Sequence, residues 1–170
     1  PDKQAPQPPL GSVGMDKTED CMAGPIAQFG RYIGDWNIAD ETLSREDWKT
    51  WIPGKGARWN FTCLGNGTAI QDFWMPNGGG FGTNLRMYNN DSESWDIAWT
   101  ATSQPGMTQI TAKQDDAGKI VMHFVAPKPN PPRRITFMPP DETGWRWELD
   151  MSYDDEKTWV TVYRMKATPR

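Results

Sequence analysis

Short segments of this chain alternate apolar and polar residues, and turn residues separate the segments. Trp95, Ile97 and Trp99 fall on one face, with Asp96, Ala98 and Thr100 on the other. Trp145, Trp147, Leu149 and Met151 share a face, opposite Arg146, Glu148 and Asp150. A period of two places each set on one side of a strand. The same reading predicts strands over 35–44, 57–64, 68–75, 81–88, 94–102, 107–113, 119–125, 133–138, 145–152 and 158–166. About ten short strands at this spacing suit a sandwich or a barrel. One stretch differs. Ile26, Phe29, Tyr32 and Ile33 recur at helical spacing between Pro25 and Gly34, which predicts a short helix.

The punctuation supports an up-and-down meander. Gly65-Asn66-Gly67 is a strong hairpin signal, because those residues tolerate positive φ. Asn89-Asn90-Asp91-Ser92, Ser103-Gln104-Pro105-Gly106 and 115–118 read as further turns. Residues 76–80 read as a flexible lip and 127–132 as a stiff Pro-rich connection. Residues 45–55 form a longer connection with Trp48 and Trp51, placed to close a barrel mouth. Residues 1–24 resemble a linker in composition, with Pro1, Pro6, Pro8, Pro9 and Gly11, and form an N-terminal arm. Residues 25–170 then make one all-β domain, an antiparallel barrel, since closing a meander removes its exposed edges.

Composition adds the interior. The chain has 170 residues and ten tryptophans, so rings make up for a modest apolar fraction of 36%. The net charge is −4 without a basic stripe, which argues against nucleic acid. No apolar run is long enough to span a membrane. Cys21 and Cys63 either form one disulfide, as in an exported protein, or remain two thiols. Export, periplasmic or secreted, is favoured over an intracellular location, with any leader removed from this chain. The triplets at Asn60, Asn66 and Asn90 fit the glycosylation pattern, which turn-rich sequences also produce by chance.

At Gly34-Asp35-Trp36 the sequence meets a known pattern. A short helix followed by Gly-x-Trp resembles the start of a lipocalin or calycin barrel. That resemblance implies a basic residue of the last strand packing across Trp36, with Arg164 the candidate and Lys166 the second. The run from Gly82 to Asn89, with Arg86 and Tyr88, followed by Trp95 and Trp99, is similar to bacterial lipocalin-like domains of unknown function. The ending from Trp147 through Trp159 to Arg164 also resembles theirs. The likeness covers residues 26–166. The hairpin 152–159 also resembles a sialidase-like propeller motif, but it occurs once and Glu156 replaces the turn glycine. It therefore reads as a hairpin with Trp159 as its anchor.

Candidate chemistry is sparse. His123 is the only histidine, so a metal centre is not expected, and no cofactor motif is present. Asp72 shares a face with Ile70 and Trp74, and Arg86 shares one with Asn84 and Tyr88. An inward arginine either receives an acidic group on a ligand or neutralises Asp72 across the sheet. The first functional expectation is a binding protein for a small apolar or aromatic ligand with an acidic or hydroxyl group. Trp59, Trp74, Trp95, Trp99 and Trp147 would form its walls, and Asp72, Arg86 and Tyr88 would orient it. The second is a cofactor-independent lyase, isomerase or hydrolase in the same cavity. There His123 or Asp72 would move a proton and Arg86 would stabilise negative charge; the His123 version requires an inward side chain, whereas an outward-facing histidine is the favoured reading. The third is an assembly protein whose N-terminal arm clasps a second subunit, giving a homo-oligomer.

Overall fold

A computed structural model describes residues 19–64 and 67–170. Most of the N-terminal arm, and Gly65 and Asn66 of the first hairpin signal, lie outside the described residues. Eleven strands follow a short helical segment: β1 (Gly34–Leu43), β2 (Trp51–Pro53), β3 (Ala57–Leu64), β4 (Ala69–Pro76), β5 (Gly82–Asn89), β6 (Ser94–Ala101), β7 (Gln104–Gln114), β8 (Ile120–Ala126), β9 (Arg133–Phe137), β10 (Trp145–Met151) and β11 (Val160–Pro169). Each strand from β3 to β11 pairs antiparallel with the next in sequence. β1 joins β3 on one side and β11 on the other, so ten strands close into a barrel. The closing pairing runs from Trp36 opposite Pro169 to Thr42 opposite Tyr163.

The extra strand, β2, corrects one expectation. The connection over 45–55 is not all loop, because Trp51–Pro53 pairs with Glu41–Leu43. β3 begins at Ala57 opposite Ile38 and does not reach the rest of β1, where β2 covers the edge that β1 would otherwise expose.

The helical segment is shorter than the period predicts. It consists of a 3-10 turn at Gly24–Ile26 and one α-turn, α1 (Ala27–Gly30). Pro25 begins it, as the sequence suggests. The segment closes one end of the barrel. Phe29, Tyr32 and Ile33 are fully buried there against Trp95, Phe61, Phe137 and Trp145. Phe29 meets Trp95 edge-on at 4.9 Å, and Tyr32 meets Trp145 at 5.1 Å. Cys21 and Cys63 form a disulfide that ties the chain before α1 to the end of β3. Gly30 allows this crossing: a Cβ there would stand 1.7 Å from the Cys21 carbonyl oxygen.

Trp36 is buried at this end, as expected, with its Nε1 donating to the Tyr32 carbonyl at 2.8 Å. Arg164 does not cover it. Met165 and Ala167 point inward, so the period of two turns Arg164 and Lys166 outward. Arg164 lies 3.9 Å from the centre of the Trp51 ring and donates to Glu41 at 2.7 Å.

Candidate functional site

The interior splits into a filled end and an open end. Beyond the aromatic layer over α1 lies a cavity of about 470 Å³ that extends to the loops at the opposite end. Its walls include Trp59, Trp74, Trp99, Trp147, Ile110, Met122, Phe137 and Tyr163. This volume and apolar lining match small-molecule sites in general. Trp59 and Trp74 face each other across β3 and β4, with ring centres 5.0 Å apart. Trp99 lies over Gly82, where a Cβ would come within 2.3 Å of the indole.

The polar centre comes from β4 and β5. Asp72 stands opposite Asn84, and Arg86 stands opposite Ile70, so Arg86 is the diagonal neighbour of Asp72 on the inner face. Asp72 accepts hydrogen bonds from the Asn84 backbone N–H at 2.9 Å and from Asn84 Nδ2 at 3.0 and 3.2 Å. Arg86 Nη2 lies 2.6 Å from Asp72 Oδ2, and both side chains are fully buried. The structural alternative for these two residues therefore holds: they neutralise each other across the sheet.

The pair does not satisfy the guanidinium. Nη2 faces the Asp72 carboxylate, but among the described residues Nε and Nη1 of Arg86 have no hydrogen-bond acceptor. The group is instead enclosed by rings, 4.7 Å from the centre of Phe29, 5.2 Å from Phe61 and 5.9 Å from Phe137. Such cation–π contacts favour a positive charge but accept no hydrogen bond. Trp59 Nε1 is also buried without an acceptor among the described residues. Buried donors are usually satisfied, and leaving one unmet is unfavourable.

The expected wall residues separate. Trp59, Trp74, Trp99 and Trp147 border the cavity, as does Arg86. Asp72 lies behind Arg86 and Asn84 rather than at the cavity surface. Trp95 and Tyr88 belong to the filled end. Trp95 is fully buried, with its Nε1 donating to Gln28 at 2.9 Å, and Tyr88 packs on it at 5.4 Å.

His123 corrects the catalytic expectation. Its neighbours Ile120 and Met122 are buried, and its own position on β8 faces outward and is exposed, opposite Thr111 and Arg134. It cannot face Asp72 across the lumen. Among the described residues no group of His, Cys, Asp and Glu is placed to hold a metal ion. Nor does any helix have the length and apolarity to cross a membrane.

The mouth also differs from expectation. Trp48 packs outside the cavity on Tyr153 at 5.6 Å, with Arg45 over its ring, and Trp51 lies under Arg164. Neither closes the mouth, and neither do Gly78, Gly79 and Gly80. The Pro-rich connection borders the cavity instead, through Pro127, Lys128, Pro129 and Asn130. A segment rich in proline has little conformational freedom to lose, which suits a fixed rim.

Sequence reasoning missed Arg133, which borders the cavity with a buried Nε that lacks an acceptor among the described residues. The signal was available. Ile135 and Phe137 are its i+2 and i+4 neighbours on β9, so all three share the inner face. Tyr163 was missed too. Its hydroxyl donates to Asp40 Oδ2 at 2.6 Å. Burial, reinforced by that hydrogen bond and the Asp40 charge, raises its pKa well above the ordinary phenol range. Tyr163 therefore stays neutral and offers the cavity mainly its ring. No protein-family model matches the chain, and no curated protein matches it significantly.

Proposed function

We propose that this barrel binds a small, largely aromatic or apolar molecule that carries hydrogen-bond acceptors. One observation carries the reading: a ring-walled cavity is bordered by Arg86 and Trp59, and among the described residues the buried Nε and Nη1 of Arg86 and Nε1 of Trp59 have no acceptor. A ligand oxygen would satisfy them, and the surrounding rings would supply most of the binding area. The closed ten-strand barrel with a helical turn under one end, and Trp36 at the start of β1, support kinship with the lipocalin-like calycins. The Cys21–Cys63 disulfide suits an exported protein.

Binding is favoured over catalysis by the placement of the candidate proton carriers. His123 is on the outer face, and both oxygens of Asp72 are engaged by Asn84 and Arg86 behind the cavity wall. The test is a titration with a panel of one- and two-ring aromatic acids and phenols, following tryptophan fluorescence. Four indoles border the cavity, so an occupant changes their emission. A flat response across the panel, with calorimetry also silent, would rule the proposal out.

A further inference from the structure

The charges around the cavity are arranged unevenly. Arg86, Lys128 and Arg133 border it, and among the described residues no carboxylate does. This cationic lining belongs to a chain whose net charge is −4. The three cations are not equivalent. Asp72 offsets Arg86 at 2.6 Å, in full burial. A second carboxylate brought to Arg86 would stand close to Asp72 with little water between them, and like charges that close resist joint ionisation. The inner end therefore offers donors without net charge.

The rim is the reverse. Arg133 makes no ion pair among the described residues, and its buried Nε has no acceptor. Lys128 is exposed at the same opening. The nearby Arg134 and Asp150 pair with each other on the outer face, so Asp150 does not neutralise Arg133 from within.

Resting on the binding proposal above, we infer that the ligand is an aromatic acid held with its anionic group at the mouth. Arg133 and Lys128 receive that group, and an uncharged acceptor at the other end, such as an ether or carbonyl oxygen, reaches Arg86 and Trp59. An inward carboxylate would meet the field of Asp72; an outward one meets two cations and keeps part of its hydration. Charge-assisted contacts at the rim then select for an acid, while the rings select for shape.

Three probes separate the ends: 2-naphthoate, 2-methoxynaphthalene and 6-methoxy-2-naphthoate. Their affinities are measured by tryptophan quenching and calorimetry, at low and high salt, for the parent protein and for Lys128→Met/Arg133→Met. The doubly functional probe should bind tightest. The double substitution should weaken both carboxylates roughly ten-fold or more and leave the neutral ether nearly unchanged, which also shows that the variant is folded. High salt should weaken only the carboxylates. Nuclear Overhauser contacts should place the methoxy protons beside Trp59. Carboxylate affinity indifferent to the double substitution, or methoxy contacts to Pro129 instead, would overturn the orientation and leave binding standing. Silence from all three probes would overturn both.

Discussion

The two ends of the barrel are built from the same residue types and reach opposite outcomes. At the helical end, Trp36, Trp95 and Tyr32 are buried and their polar atoms have partners: the Tyr32 carbonyl, Gln28 and the Met138 carbonyl. Trp145 Nε1 is the exception there. Beyond that end, Trp59, Trp74, Trp99 and Trp147 line a void, and among the described residues Trp59 Nε1 and the Nε and Nη1 of the bordering Arg86 have no acceptor. The difference is the filler. One short turn inserts Phe29, Tyr32 and Ile33 into the first end, and among the described residues no segment enters the second. Aromatic content therefore does not decide whether a barrel is filled or hollow; the presence of a plug does.

The largest test of that contrast is a pair of truncations. Phe29 lies among Trp95, Phe137 and the Arg86 guanidinium, so Phe29→Ala should cost about 3–5 kcal/mol in urea unfolding. Trp99→Ala removes a larger ring that already borders empty space and lacks packing on one side. Its cost should be smaller, below about 3 kcal/mol, because fewer contacts are lost. Equal losses would mean that the mouth half is packed as tightly as the plugged half.

The next test concerns what holds the plug. The Cys21–Cys63 bond spans 42 residues of sequence, and its loss relaxes the unfolded chain. Cys21→Ser/Cys63→Ser should lower stability by about 2–4 kcal/mol. Probe binding at the mouth should persist below the new melting range. Loss of binding in the still-folded variant would show that the two ends are coupled.

The smallest effect is set by pH. Burial raises the Tyr32 pKa from 10.0 to about 12, partly offset by Arg31. The folded state therefore prefers the neutral phenol. That contribution is fully present below pH 10 and is lost as pH rises through about 12. Tyr32→Phe should cost about 1 kcal/mol near neutrality, from the hydroxyl bond to Met138. It should also flatten the alkaline fall in the urea midpoint, leaving the share due to Tyr163, whose pKa burial likewise raises. An identical alkaline slope in both proteins would assign that fall to other groups.

The fold was largely legible because alternation is a local signal. Trp145 and Trp147 inward against Arg146 outward, or Ile70 and Asp72 on one face, need only a period of two. Edges were less legible: β2 pairs with the part of β1 that β3 does not reach, which no property of residues 51–53 announces. For the site, Arg86 could be placed inward from its strand, and Arg133 could have been by the same rule. Arg164 shows the opposite error, where family likeness outweighed the faces of its own neighbours. The period of two on β11 turns it outward, as the period on β8 turns His123 outward, the reading the sequence favours.

The sequence by itself determined which side of each strand is apolar, where the chain turns, and that a Pro25-to-Gly34 stretch is not strand. These depend on neighbouring residues and on backbone geometry. Only the tertiary structure decided that Phe29 and Tyr32 fill one end, that Asp72 neutralises Arg86, and that Arg133 and the Pro-rich rim meet at the other. Those facts depend on which strands become neighbours when the barrel closes, and closure brings together residues far apart in sequence.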